Sequence, residues 1–134
     1  MNLEEKIASE EGFADKLYIC PAGFRSIGYG FNLDVNPMPK EVADLWLSIN
    51  ITSLKRRLAE FTWLQDLNEA RQIVLYDMAY QMGVNGMLSF TSMINSLRAE
   101  HYHEAAEHLL DSKYARQTPN RAQRNAEILR SGEL

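Results

Sequence analysis

Cysteine is almost absent from this sequence: Cys20 is the only one in 134 residues. A lone cysteine closes no disulfide within the chain, and without a CxxC pair there is no cysteine-based zinc cluster, so packing must hold the fold and Cys20 is a free thiol. Histidine is scarce as well. His101, His103 and His108 are the three in the chain; the last two are spaced poorly for one helix face and no acidic cluster completes a set, which argues against a metal site. Prolines and glycines are few, four and seven, and the 46% hydrophobic content is that of a globular protein. No apolar run is long enough to span a bilayer. Positive charge is not in excess either. Fourteen Lys and Arg against eighteen Asp and Glu give a net charge of −4, which weighs against general nucleic-acid binding because that mode depends on clustered cations. The opening "MNLEEKIASEEG" has neither a basic flank nor an apolar core, so it does not read as a secretory signal and synthesis in the cytoplasm is expected.

What is present reads as one lobed domain over residues 1–134, of class α+β. Leu3, Ile7 and either Glu10 or Glu11 recur at helical spacing, giving a helix over about residues 2–11 that Gly12 stops in a left-handed cap. From about 12 to 38 the chain carries β-favouring residues around the turn "PAG", with Gly28 and Gly30 bracketing a return strand and "NLDVNPMP" as a loop: a small hairpin or three-stranded sheet. A long amphipathic helix is expected over about 39–60, since Leu47, Ile51, Leu54, Leu58 and Phe61 fall on one stripe and Pro39 suits a first turn. Residues 61–134 read as helical, and with the N-terminal helix they form the larger lobe. Within it, "EARQIVLYDMAYQMG" is apolar on nearly every side from Ile73 to Met82 and predicts a central, enclosed helix, and three further helical patterns follow. In the last of them Thr118 is the expected N-cap, Pro119 the first residue and Gly132 the stop.

Few residues invite chemistry. Glu11 sits at a helix C-terminus, where the macrodipole disfavours negative charge, which is a useful address for a general acid and equally consistent with a solvated helix end. Cys20 and Ser26 are brought near each other if the hairpin closes as expected, although a lone cysteine is also an ordinary packing residue. Arg121 and Arg124 share a face of the terminal helix and can pair with Glu10 or Glu11 if the termini pack together, or stand as surface arginines. Tyr80 ends the apolar helix, either as core or as a ring on which a sugar stacks.

Taken together, "EEGFADKLYICPAGFRSIGYG", "DMAYQMGVNGMLSFTSMINSLR" and "EAAEHLLDSKYARQTPNRAQRNAEILRSG" resemble the phage-type lysozymes, glycoside hydrolase family 24, over nearly the whole chain. The family pattern is a glutamate, eight residues, an aspartate or cysteine, five residues and a threonine; Glu11, Cys20 and Ser26 stand at those places. The resemblance implies a lysozyme-like α+β fold whose segment between Phe31 and Pro39 is trimmed. It also implies a muramidase that needs no cofactor and cleaves the β-1,4 bond between N-acetylmuramic acid and N-acetylglucosamine, lysing a bacterial host. Glu11 is then the acid, with Cys20 and Ser26 completing the catalytic set, Cys20 as general base for a water or as a nucleophile. Arg121 is expected to support Glu11. Tyr80 and Gln81 line the substrate cleft, and Asn32, Met93 and His108 match further cleft positions with side chains that differ from those of T-even members. Free cysteine titrates at about 8.5, so only a small fraction is thiolate at neutral pH unless a cation such as Arg25 or Lys16 stabilises the anion. The partners implied are peptidoglycan glycan strands and a holin that releases a monomeric protein from the host cytoplasm to the periplasm. The alternative is a catalytically silent peptidoglycan-binding domain of a phage particle.

Overall fold

Asn2 starts the first helix by a reciprocal cap: its side chain accepts from the Glu5 N–H at 2.8 Å while the Glu5 carboxylate accepts from the Asn2 N–H at 3.1 Å. In the computed structural model, which describes all residues from 1 to 134, this helix, α1, runs Leu3–Glu11 and ends at Gly12, whose φ of 71° suits a glycine cap. Three short strands follow, β1 Ala14–Ile19, β2 Arg25–Gly28 and β3 Phe31–Asn32, in an antiparallel sheet of order β1-β2-β3. Tyr18 faces Ser26 and Ile19 faces Arg25, but Ala14 faces Gly28, so the register slips by a bulge between Ala14 and Tyr18. On the other side Ser26 pairs with Asn32 and Ile27 with Phe31.

The long helix α2 spans Lys40–Leu58. The chain divides inside it into two compact units, Met1–Trp46 and Leu47–Leu134. The first unit contains α1 and the sheet, and Ser26 and Gly28 are its only buried residues. Forty-six residues are too few to enclose a core. Its aromatic rings meet at the surface, Phe13 with Tyr29 at 5.6 Å between centroids and Tyr29 with Phe31 at 6.2 Å.

The second unit holds the core. Its helices after α2 are α3 Thr62–Gln65, α4 Glu69–Met82, α5 Val84–Leu88, α6 Thr91–Arg98, α7 Tyr102–Leu110, α8 Lys113–Gln117 and α9 Pro119–Ser131. Leu58, Leu64, Val74, Leu75, Met78, Met87, Met93, Leu97, Leu109 and Leu129 are fully enclosed. The most extensive pairing is α7 with α9, where Ala105, Ala106, Ala122 and Ala126 are fully buried.

Two sequence expectations change here. The α4 helix is not enclosed all round: Ala70, Val74, Leu75, Met78 and Ala79 are buried, whereas Ile73 and Tyr80 are exposed and Tyr76 and Asp77 half-buried. Its apolar residues at Ile73 and Tyr80 line a groove instead of a core. Thr118 precedes α9 as expected, but its hydroxyl donates to the Tyr114 carbonyl at 3.0 Å and caps no N–H of α9. Pro119, which needs no hydrogen-bond partner for its nitrogen, supplies the start.

Candidate active site

In the first unit three elements carry the residues that the sequence pattern singles out. Glu11 is the last residue of α1, Cys20 follows β1, and Ser26 lies within β2. The turn between β1 and β2 is closed by Cys20 N–H to the Phe24 carbonyl at 2.9 Å and Gly23 N–H to the Cys20 carbonyl at 2.8 Å. This tight turn folds backbone amides around the thiol. Cys20 is partly buried and free, and its thiol is held below the ordinary cysteine value. The backbone hydrogen bond from Phe24 is the main cause; partial desolvation works upward against it, and the backbone of Ala22, the Ser26 side chain and the backbone of Gly23 add to the lowering. The hairpin therefore brings Cys20 and Ser26 together, as the spacing implied.

Neither candidate cation takes that part. Arg25 is engaged by Asp34: its Nε reaches Oδ1 at 3.0 Å and its terminal nitrogen the same oxygen at 2.5 Å, while its backbone N–H donates to Oδ2 at 2.7 Å. Each group favours the charged state of the other. Neither Arg25 nor Lys16 is among the groups that lower the thiol; backbone dipoles and the Ser26 side chain do so.

Ser26 is 2% exposed, and its hydroxyl lies 3.5 Å from the Phe24 carbonyl. Asn32, directly across the β2–β3 ladder, is half-buried and accepts from the Asp34 N–H at 3.0 Å, so its carbamoyl group orders the loop that delivers Asp34 to Arg25. The Glu11 carboxylate is exposed and lies against Gly30 in the turn between β2 and β3. Gly30 escaped the sequence reading as a site residue, although its place in "GYGF" marked a turn.

The second unit presents a separate surface. Leu47, Ile51, Leu54 and Lys55 of α2, Ile73, Tyr76, Asp77 and Tyr80 of α4, and Arg121 of α9 line an open cavity of ≈ 490 Å³. Tyr80 is 49% exposed on its wall. Arg121, expected to support Glu11, has Asp77 as its partner in its own unit: Nε donates to Oδ2 at 3.1 Å and a terminal nitrogen to Oδ1 at 2.5 Å. Asn125 Nδ2 lies 2.9 Å from Asp77 Oδ2 and 3.2 Å from the Tyr114 hydroxyl, extending the network inward. Asp77 carried no signal in the sequence, because its partner lies 44 positions away.

Gln81 and His108 are exposed, the first near the end of α4 and the second near the end of α7. Met93 is corrected: it is 1% exposed and packs within the core of the helical unit, so its thioether has no free face for a ligand. The other two histidines form local exposed pairs, His101 with Glu104 at 3.4 Å and His103 with Glu107 at 3.0 Å. No group of three His, Cys, Asp or Glu side chains is arranged to hold a metal ion, and no helix is long and apolar enough to cross a membrane.

The family model described as phage lysozyme matches residues 8–127. Among curated proteins, "Probable T4-type lysozyme 1" of Dictyostelium discoideum is 30% identical over 88 residues, covering 66% of this chain and 52% of the relative. "Probable T4-type lysozyme 2" of the same organism is 28% identical over 87 residues, covering 65% and 51%. "Pre-baseplate central spike protein Gp5" of Enterobacteria phage T4 is 27% identical over 164 aligned residues, covering 100% of this chain and 28% of the relative. The chain spans about half the length of the first two and little more than a quarter of the third. With a family match that takes in Glu11, Cys20, Ser26, Tyr80 and Arg121, this chain belongs to the phage lysozyme family.

Proposed function

We propose that this protein is a muramidase that hydrolyses the β-1,4 bond between N-acetylmuramic acid and N-acetylglucosamine in bacterial peptidoglycan, with Glu11, Cys20 and Ser26 as its catalytic residues. Membership of the phage lysozyme family across residues 8–127 carries the reading. In the reaction the Glu11 carboxyl gives its proton to the glycosidic oxygen as the bond to the anomeric carbon breaks. The Cys20 thiolate then serves in one of two ways. It takes a proton from a water that Ser26 helps to orient and that attacks the anomeric carbon, or it attacks that carbon itself and leaves a thioglycoside that water later opens. The lowered thiol supports either role, since both need the anion. Tyr80, with an exposed ring, is the best placed of the sugar-contacting candidates; Asn32, Gln81 and His108 complete them, and Arg121 acts with Asp77 on the wall beside Tyr80.

An acidic protein gains no long-range attraction to an anionic wall, so confinement beside its substrate serves better than steering. This fits a monomeric endolysin made in the host cytoplasm and released to the periplasm through a holin. The match to a phage spike protein over the whole chain favours a second reading, a glycan-binding domain of a particle without turnover. Release of reducing sugar ends from purified peptidoglycan, run beside Glu11→Gln, tests the proposal. Release that vanishes in the variant supports the muramidase. Wall binding by both forms with release by neither supports the silent domain.

A further inference from the structure

We propose that Gly30 is a positioning residue for the acid: its missing side chain is the seat of the Glu11 carboxylate. The inference rests on reading Glu11 as the proton donor. The turn Tyr29–Gly30 joins β2 to β3, and Gly30 has φ +69°. A Cβ built there would stand 2.7 Å from Glu11 Oε2 and 3.3 Å from Cδ, well inside van der Waals contact. Gly28, two residues earlier, is hindered for another reason, since its Cβ would meet the Phe31 ring at 2.7 Å. One glycine thus serves the packing of an aromatic ring and the other serves the carboxylate.

The nature of the obstacle separates position from folding. At Gly30 the clash is with the free end of a flexible side chain, so an added methyl is accommodated by swinging the carboxylate aside and the turn need not open. Within its own unit little else holds that carboxylate. The ion pairs of this unit are Lys6–Glu10, Arg25–Asp34 and Lys40–Asp44, and Glu11 belongs to none of them. Contact with the bare backbone of Gly30 therefore sets where the acid sits, and a proton donor displaced by a methyl radius no longer lies in line with the leaving oxygen.

The test measures kcat and KM for reducing-end release by the full chain and by Gly30→Ala, Glu11→Gln, Glu11→Asp and the double variant Glu11→Asp/Gly30→Ala. Gly83→Ala serves as the backbone control, because Gly83 has φ +83° and open space around its missing Cβ. For Gly30→Ala we expect kcat to fall on the order of a hundredfold with KM unchanged, and Tm to fall no further than in Gly83→Ala. The shorter acid leaves room for the methyl, so the double variant should lose less than the product of the two single losses. Undiminished kcat in Gly30→Ala overturns the proposal, as does a loss that follows Tm or a strictly multiplicative double variant. Full turnover by Glu11→Gln removes the reading of Glu11 as the acid and takes this inference with it. A crystal structure of Gly30→Ala with the Glu11 carboxylate unmoved overturns the seat alone.

Discussion

Asp77 grips Arg121 with both carboxylate oxygens, at 3.1 Å to Nε and 2.5 Å to a terminal nitrogen, and so ties α4 to the terminal helix α9. Burial alone would push the Asp77 carboxyl up. The hydrogen bonds from Arg121 and Asn125, with the charges of Arg121 and Arg124, outweigh burial and hold it below the usual carboxylate range. A carboxyl depressed in the folded state stabilises the fold at pH values above its unfolded value, about 3.9, and this contribution is lost as pH falls through the folded value. Asp77→Asn should therefore lower stability at neutral pH by about 1–3 kcal/mol, toward the smaller figure because the pair is about one-third exposed. Urea unfolding at neutral pH and again in acid checks this. The difference between the two proteins should shrink in acid, where the wild-type carboxyl is itself protonated.

The Cys20 thiol, lowered first by the Phe24 backbone, should alkylate with a pH midpoint below that of the same thiol in the unfolded chain. Ser26→Ala removes one of the lowering groups and should move that midpoint upward. Iodoacetamide reaction rates across pH measure both. In activity, Cys20→Ser should abolish most turnover and Cys20→Asp should retain it, and a fully active Cys20→Ser protein would remove Cys20 from the mechanism. If the thiolate is the attacking group, intact-mass measurement of quenched reactions should find a sugar adduct that Cys20→Asp lacks on sulfur.

Local signals were legible in the sequence because they act over a few residues. Gly12, Pro39, Pro119 and Gly132 mark helix ends by chemistry that needs no tertiary contact, and with the β-favouring run around the turn "PAG" they give the α+β order of sheet and helices. The spacing of Cys20 and Ser26 was likewise decoded by one tight turn. What stayed hidden depends on distant partners. Arg121 has a partner in Asp77 of its own unit, Arg25 is taken by Asp34 nine positions on, and Met93 goes to the core. The short helices α3, α5 and α8 were also missed, since four or five residues are too few to show a period.

Arg71 closes the end of α9 from outside that helix. Its Nε donates to the Leu129 carbonyl at 2.8 Å and a terminal nitrogen to the Arg130 carbonyl at 3.3 Å, while its guanidinium carbon lies 3.5 Å from the Tyr102 ring centroid. A helix C-terminus has unpaired carbonyls and a negative dipole end, so a planar cation there satisfies both. Arg71→Ala should cost about 1–3 kcal/mol in thermal or urea unfolding. Arg71→Lys should recover only part of it, because an ammonium cannot donate in a fork and stack at once. Gly132→Ala should also destabilise, since its Cβ would meet the same guanidinium at 2.9 Å and must adopt φ +74°.

Tyr80 offers a ring whose loss should cost binding and spare the fold. It is half-exposed on α4, while the buried face of that helix is made by Val74, Leu75, Met78 and Ala79, none of which the substitution touches. Aromatic faces bind the axial C–H faces of sugars, so Tyr80→Ala should weaken binding to purified peptidoglycan while Tyr80→Phe keeps most of it. Measured in the Glu11→Gln background, where turnover does not consume the ligand, co-sedimentation reads binding alone. The unfolding midpoint of Tyr80→Ala should stay close to wild type, since surface changes usually fall within about 0.5 kcal/mol. Equal retention by Tyr80→Ala and the parent would show that the glycan does not use this wall, and the sugar contacts would then have to be sought among Asn32, Gln81 and His108.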